Sequence, residues 1–202
     1  MSDQSFNTDA RERVLHAAEQ LFAQKGYAAV TLREVSAAVG IKHASLYHHA
    51  PGGKEELFIE VTERHLHRHR AGLSAAIAEA QPMIQPQLHA AAGWLLSQPP
   101  MDLIRMTYSD MPAIAPAHAQ RLSELAYESM IGPIEHTLEQ ARQRGEIEHR
   151  DLGLIAGGLL GMIESLYAIP DHVLSQGRTR LMMAHDLIDV LLDGLRVRKS
   201  EM

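Results

Sequence analysis

The sequence predicts an all-α protein: a three-helix helix-turn-helix DNA-binding domain followed by a larger helical domain. Three observations carry this. Apolar residues recur at helical spacing along nearly the whole chain, and no segment alternates with the two-residue period of a strand. The composition, with 10 methionines and only 4% aromatic residues, suits helices better than sheets. The stretch Thr31–Lys54, TLREVSAAVGIKHASLYHHAPGGK, reads as two short helices joined by a turn, with a third helix beginning just beyond.

In chain order, a first helix is expected from Asp9 to Lys25. Asp9 and Glu12 can cap it, Val14, Ala18, Leu21 and Phe22 form its inward stripe, and Gly26 closes it. Thr31 followed by Glu34 is a capping box, so a second helix starts there, with Leu32, Val35, Ala38 and Val39 on its apolar face. Gly40 ends it as a left-handed C-terminal residue. A third helix runs from Lys42 or His43 to His49, before Pro51 and two glycines stop it. The next helix, Lys54 to Ala80, places Glu55 and Glu56 in its first turn and is long enough to link two domains.

Pro82 and Pro86 are expected to break the pattern before a helix from Gln87 to Ser97. Pro99-Pro100 breaks it again, and a short helix covers Asp102 to Asp110. A long pattern from Ala117 to Arg144 should kink at Gly132-Pro133. Asp151 caps a helix to Ala168, and the last helix spans Thr179 to Val197, with Ala184, Ile188, Leu191 and Leu195 at near-heptad spacing. The domain boundary is expected at 53/54, giving domains 1–53 and 54–202.

Composition excludes several classes. There are no cysteines, so disulfides, thiol catalysis and cysteine-bound metal fall away. The polar start MSDQSFNTDARERV carries no secretory signal, and the apolar run Leu152–Ile163 is too short to span a membrane. The expectation is a soluble cytoplasmic protein. Net charge is −6, but residues 1–54 carry six Lys/Arg against five Asp/Glu, leaving −7 for the remainder. Within Thr31–Lys54 the sole acid, Glu34, faces Arg33, Lys42, Lys54 and three histidines. A mildly basic module on an acidic body fits DNA binding with modest affinity per protomer, and hence a need for two copies.

The run VLHAAEQLFAQKGYAAVTLREVSAAVGIKHASLYHHAPGGKEELF, Val14 to Phe58, closely resembles the TetR family of bacterial transcriptional repressors. The resemblance implies that Thr31 and Arg33 lie near the DNA backbone. It further implies that Lys42, His43, Ala44 and Ser45 open the recognition helix toward base edges or phosphates. By the same resemblance Tyr47 donates its hydroxyl to a phosphate with His48 and His49 beside it, and Lys54 grips a phosphate. Chemistry agrees: helix N-terminal residues reach the major groove, and phosphate contacts set position without reading sequence. The chain departs from the family pattern at Ala50, where a large aromatic is usual, and in the longer Pro51-Gly52-Gly53 connection. Both predict a looser attachment of the module.

A helix-turn-helix monomer buries too little to read an operator, so a twofold dimer on a palindrome is expected. The last two helices offer the best interface: Gly157, Gly158 and Gly161 permit close approach, with Ile188, Leu191 and Leu195 on the final helix. The alternative is that these glycines serve packing within one subunit. Trp94, Met106, Tyr108, Met111, Tyr127, Met130 and Ile134 lie on proline-broken helices; each alone reads as core filler. Collectively the resemblance implies a pocket there for a small, largely apolar effector that releases the repressor from DNA.

His65 and His69 in HLHRHR sit one turn apart, yet two ligands do not make a zinc site, and a solvated helix face is the simpler reading. No metal and no cofactor are expected. No nucleophile elbow or nucleotide loop appears, so an enzyme is not expected. The rival class is a helical ligand-binding or metal-binding protein whose DNA module no longer functions.

Overall fold

The computed structural model describes residues 2–195 apart from 101, 150, 171, 173, 175 and 176. Among these, every regular element is helical. The predicted end of the last helix at Val197 lies outside the described residues. No described helix is long and apolar enough to cross a membrane.

The chain forms two compact units. The first contains residues 1–66 and 102–125. It holds α1 (Ser2–Ala29), α2 (Leu32–Val39), α3 (His43–Leu46), the start of α4 (Gly53–Glu79), α6 (Leu103–Arg105) and most of α7 (Pro116–Ala126). α1 is interrupted at Gly26, whose φ of 77° only glycine adopts at little cost. Its core is built on Val14, Ala18, Val35 and Leu46, all essentially inaccessible. An aromatic cluster joins them: the Phe22 and Phe58 rings meet edge to face at 5.2 Å, and Tyr27 leans on Phe58 at 4.9 Å. Ala50 is buried beside this small core at 1% exposure.

α3 is shorter than expected. It ends at Leu46, and residues 47–49 turn back so that the amides of His49 and Ala50 both reach the Leu46 carbonyl at 2.9 Å. Ala50 precedes Pro51, whose ring disfavours the helical conformation one residue earlier.

The second unit contains residues 67–101 and 126–202. It holds the rest of α4 with α5 (Ile84–Ser97), α8 (Gly132–Gln143), α9 (Leu152–Ser165) and α10 (Arg180–Leu195). Pro86 does not break α5, which begins at Ile84. A proline in a first turn lacks only an amide that has no intrahelical partner, and the Ile84 amide is instead taken by Glu146 at 2.8 Å. α5 and α10 are fastened by Asp189, which accepts from Gln85 at 2.8 Å and lies 2.9 Å from His89, whose ring stacks on His185 at 3.9 Å. Burial, followed by the charge of His89, lowers the pKa of His185 below its usual value.

The expected kink at Gly132-Pro133 takes the form of a widened π turn one turn earlier, Tyr127–Ile131. A proline ring clashes with the carbonyl four residues back, here that of Ser129, and widening the turn relieves it. The same device precedes Pro112, where Met106–Asp110 form a π turn.

Candidate nucleic-acid interface

The α2–α3 pair is assembled by local chemistry. Thr31 caps α2 with its hydroxyl 3.2 Å from the Glu34 amide, while the Thr31 amide donates to Glu34 at 2.8 Å, completing the capping box. Gly40 turns the chain at φ 73°. Val35 and Leu46 hold the pair to its core.

The opposite face is open. Arg33, Lys42, His43, Ala44 and His48 are exposed, as is Tyr47 at 48%, and Ser45 and His49 are half-buried. His43 packs edge-on against Tyr47 at 5.5 Å, so the first residue of α3 and the tyrosine expected to donate its hydroxyl to a phosphate share one surface. The Thr31 hydroxyl is committed to its cap. His49 is turned inward, its Nδ1 buried and without a partner among the described residues.

Glu34, the lone acid of this stretch, is neutralised locally by Lys25 at 2.8 Å. The Lys25 ammonium, then the Thr31 amide and hydroxyl, hold its carboxyl down to about 2. A carboxylate lowered from 4.5 contributes stability that is fully present above that value and lost as pH falls toward 2. Carbon-detected titration of Glu34 should therefore show a midpoint near 2, and Glu34→Gln should flatten the acid limb of α2 protection against hydrogen exchange. A midpoint in the ordinary carboxylate range would refute the pairing.

Lys54 does not extend freely. Its Nζ donates to the Ala28 carbonyl at 3.2 Å and lies 4.4 Å above the Tyr27 ring. Burial lowers its pKa, opposed by the carboxylates of Asp110 and Glu34. Tyr27 and Ala28 therefore join the candidate site as the seat of this ammonium.

Residues 102–125 bind the first part of α4 and the end of α1 through a set of polar contacts the sequence did not reveal. Glu55 accepts from the Ala115 amide at 2.9 Å and from His118 Nδ1 at 2.8 Å. The His118 contact, then the amide, lower its pKa. Glu63 pairs with Arg121 at 2.5 Å. Arg105 and Asp110 reach the broken end of α1.

The candidate effector residues divide between the units. Met106 and Met111 are buried in the first, where Tyr108 is 77% exposed. Trp94, Tyr127, Met130 and Ile134 belong to the second, with Met130 and Ile134 fully buried and the Tyr127 hydroxyl donating to Glu135 at 2.7 Å. Trp94 lies against Gly72 and meets His69 edge to face at 6.4 Å. His65 contacts Glu19 at 2.9 Å. Of the candidate dimer residues, Gly158 and Gly161 are exposed with open space around them, Gly157 lies near Ile131, and Leu191 is half-buried. Ile188 and Leu195 are buried within their own chain.

Residues 14–61 match the model for bacterial regulatory proteins of the tetR family. Over 52 residues the chain is 48% identical to YxaF, an uncharacterised HTH-type transcriptional regulator of Bacillus subtilis, and 46% identical to the HTH-type transcriptional regulator LmrA of the same organism. Each match covers 26% of this chain and only 27% and 28%, respectively, of those proteins. The fold is shared far more widely. A tetR-family regulatory protein from Rhodococcus RHA1 superposes with a TM-score of 0.72 at 19% identity, over 94% of this chain and 98% of that one. A transcriptional regulator from Saccharomonospora viridis, solved in complex with choline, gives 0.72 at 20% identity, over 95% and 100%.

Proposed function

We propose that this chain is a TetR-family transcriptional regulator, on its match to the family model and the shared fold, and that it acts as a dimeric repressor that binds a palindromic operator and leaves it when a small, largely apolar effector binds. Residues 1–53 would read the DNA, and residues 54–202 would hold the effector and the dimer contact. The observation that carries the reading is the outward row of Arg33, Lys42, His43, Tyr47 and His48 above the two fully buried residues Val35 and Leu46. A cationic and aromatic face at the start of a rigidly seated helix is what groove contact requires.

Two features support the effector. Trp94 Nε1 and Ser129 Oγ are buried and lack a hydrogen-bond partner among the described residues. Leaving such groups unpaired costs about 1–3 kcal/mol each, which a bound acceptor would recover. The regulator from Saccharomonospora viridis shows the same fold holding a small molecule. An apolar effector carrying an acceptor would shift the population between two spacings of the reading helices.

Gel shift over a salt series, on DNA flanking the protein's own gene, tests the proposal. Tyr47→Phe and Lys54→Ala should weaken binding about fivefold to tenfold on every sequence and lessen the salt dependence, whereas His43→Ala should change which bases are preferred. Equal binding to the palindrome and to scrambled DNA would instead support a ligand-binding protein with an inactive DNA module.

A further inference from the structure

α1 is finished by residues more than eighty positions away. The break at Gly26, φ 77° and ψ 169°, leaves the last carbonyls of the helix and the next amide without local partners. Arg105 Nη2 donates to the carbonyls of Ala23 at 2.9 Å and Phe22 at 3.2 Å. Asp110 Oδ1 accepts the Tyr27 amide at 2.7 Å. The two side chains face each other, Nε to Oδ2 at 3.5 Å. A Cβ on residue 26 would sit 3.1 Å from both, tight enough that the two side chains would have to shift by a few tenths of an ångström, while the backbone angle itself favours glycine.

Asp110 is only 4% exposed. A carboxylate this buried is retained where it is paired and hydrogen-bonded, and here its partners are the Arg105 guanidinium and one backbone amide. That amide belongs to the residue whose ring lies beneath Lys54, and the next carbonyl, of Ala28, is the one Lys54 grips. The chain of interactions therefore runs without a gap from Arg105 and Asp110, through the Tyr27–Ala28 backbone, to the Lys54 ammonium.

We propose that Asp110, braced by Arg105, is a positioning residue for DNA binding: by holding the Tyr27 amide it fixes the seat that presents Lys54 to phosphate. The inference rests on the DNA-binding reading above and deepens it. It also locates where a signal enters the reading module. Asp110 closes the π turn Met106–Asp110, so a displacement of that turn by about 1 Å breaks the hydrogen bond to Tyr27.

A double-mutant cycle in DNA binding tests this, using the full chain and fluorescence anisotropy on the flanking DNA and on an unrelated duplex. Asp110→Ala should weaken both about tenfold and lower the salt slope by about 0.9 for each phosphate that Lys54 no longer neutralises. Adding Asp110→Ala to Lys54→Ala should cost less than about twofold more, because the ammonium whose seat Asp110 fixes is already gone. Asp110→Asn keeps an oxygen for the Tyr27 amide and should restore most of the affinity. Effects that multiply in the double variant, or a lowered melting temperature with an unchanged salt slope, would overturn the role of Asp110 alone. Wild-type protein that binds neither duplex would bring down the DNA-binding reading itself. If Asp110→Ala does not fold, Arg105→Gln loosens the brace while keeping the acceptor, and its cycle with Lys54→Ala decides on the same criterion.

Discussion

Gly158→Arg is expected to leave the protomer folded while splitting the proposed dimer and lowering affinity for a palindromic operator at least about a hundredfold, since specific recognition depends on two half-sites held together. Glycine inside a helix costs about 1 kcal/mol relative to alanine, and α9 carries several. At Gly158 and Gly161 an added Cβ meets nothing of the same chain within 4 Å. Internal packing therefore does not explain them. They lie on one stripe with Leu154, which is 66% exposed, and α10 exposes Val190 at 73% and Met182 at 51%. Small residues flanked by uncovered apolar ones suit close approach by a second copy. Arginine at position 158 has room in the monomer, so a clash arises only with a partner. Sedimentation velocity should show a monomer of unchanged melting temperature. A variant that still sediments as a dimer removes this face of α9 from the interface.

What the sequence disclosed, and what it withheld, follows the range of each interaction. Thr31, Glu34 and Gly40 were legible because a capping box and a left-handed terminus are decided within a few residues, and both are present. The helical class was legible for the same reason, since it rests on periodicity. The end of α3 was misplaced because a four-residue helix gives too few turns for periodicity to locate. The π turn at Tyr127–Ile131 lies one turn before the expected kink because proline acts on the carbonyl four residues before it, and the π turn at Met106–Asp110, before Pro112, was not anticipated at all.

Long-range partners left no trace. Arg105 and Asp110 complete a helix 82 and 83 residues earlier, and neither carries a local signal of that role. Heptad spacing in α10 shows that a stripe is covered without showing by what. Ile188 and Leu195 are buried in their own chain, while Val190 on the same helix stays open. The candidate DNA-contact residues of α2–α3 were picked out by resemblance, whereas the seat of Lys54 on Tyr27 and Ala28 needed the third dimension.

Gly72→Ala should destabilise the protein by about 1–3 kcal/mol, the usual range for overpacking a closed interface. On helix propensity alone the substitution in α4 would gain about 1 kcal/mol, so the two effects have opposite signs and the measured sign decides between them. Steric overlap should prevail, because a Cβ on residue 72 would lie 1.9 to 2.4 Å from three atoms of the Trp94 ring, far inside van der Waals contact. The indole cannot simply withdraw: His69 stands edge-on to it at 6.4 Å, and its α5 neighbours Ala91, Ala92 and Leu95 are buried. For a chain of about 200 residues the destabilisation corresponds to a melting temperature lower by roughly 2–12 °C. Trp94 is the only tryptophan, so its fluorescence reports the same site directly. Gly72→Ala should shift that emission, and adding Trp94→Leu should recover much of the stability, as expected of two residues that touch. If Gly72→Ala instead raises the melting temperature and leaves the emission unchanged, the close seating of Trp94 on α4 is wrong. The proposed use of its indole N–H by an effector would then lose its geometric basis.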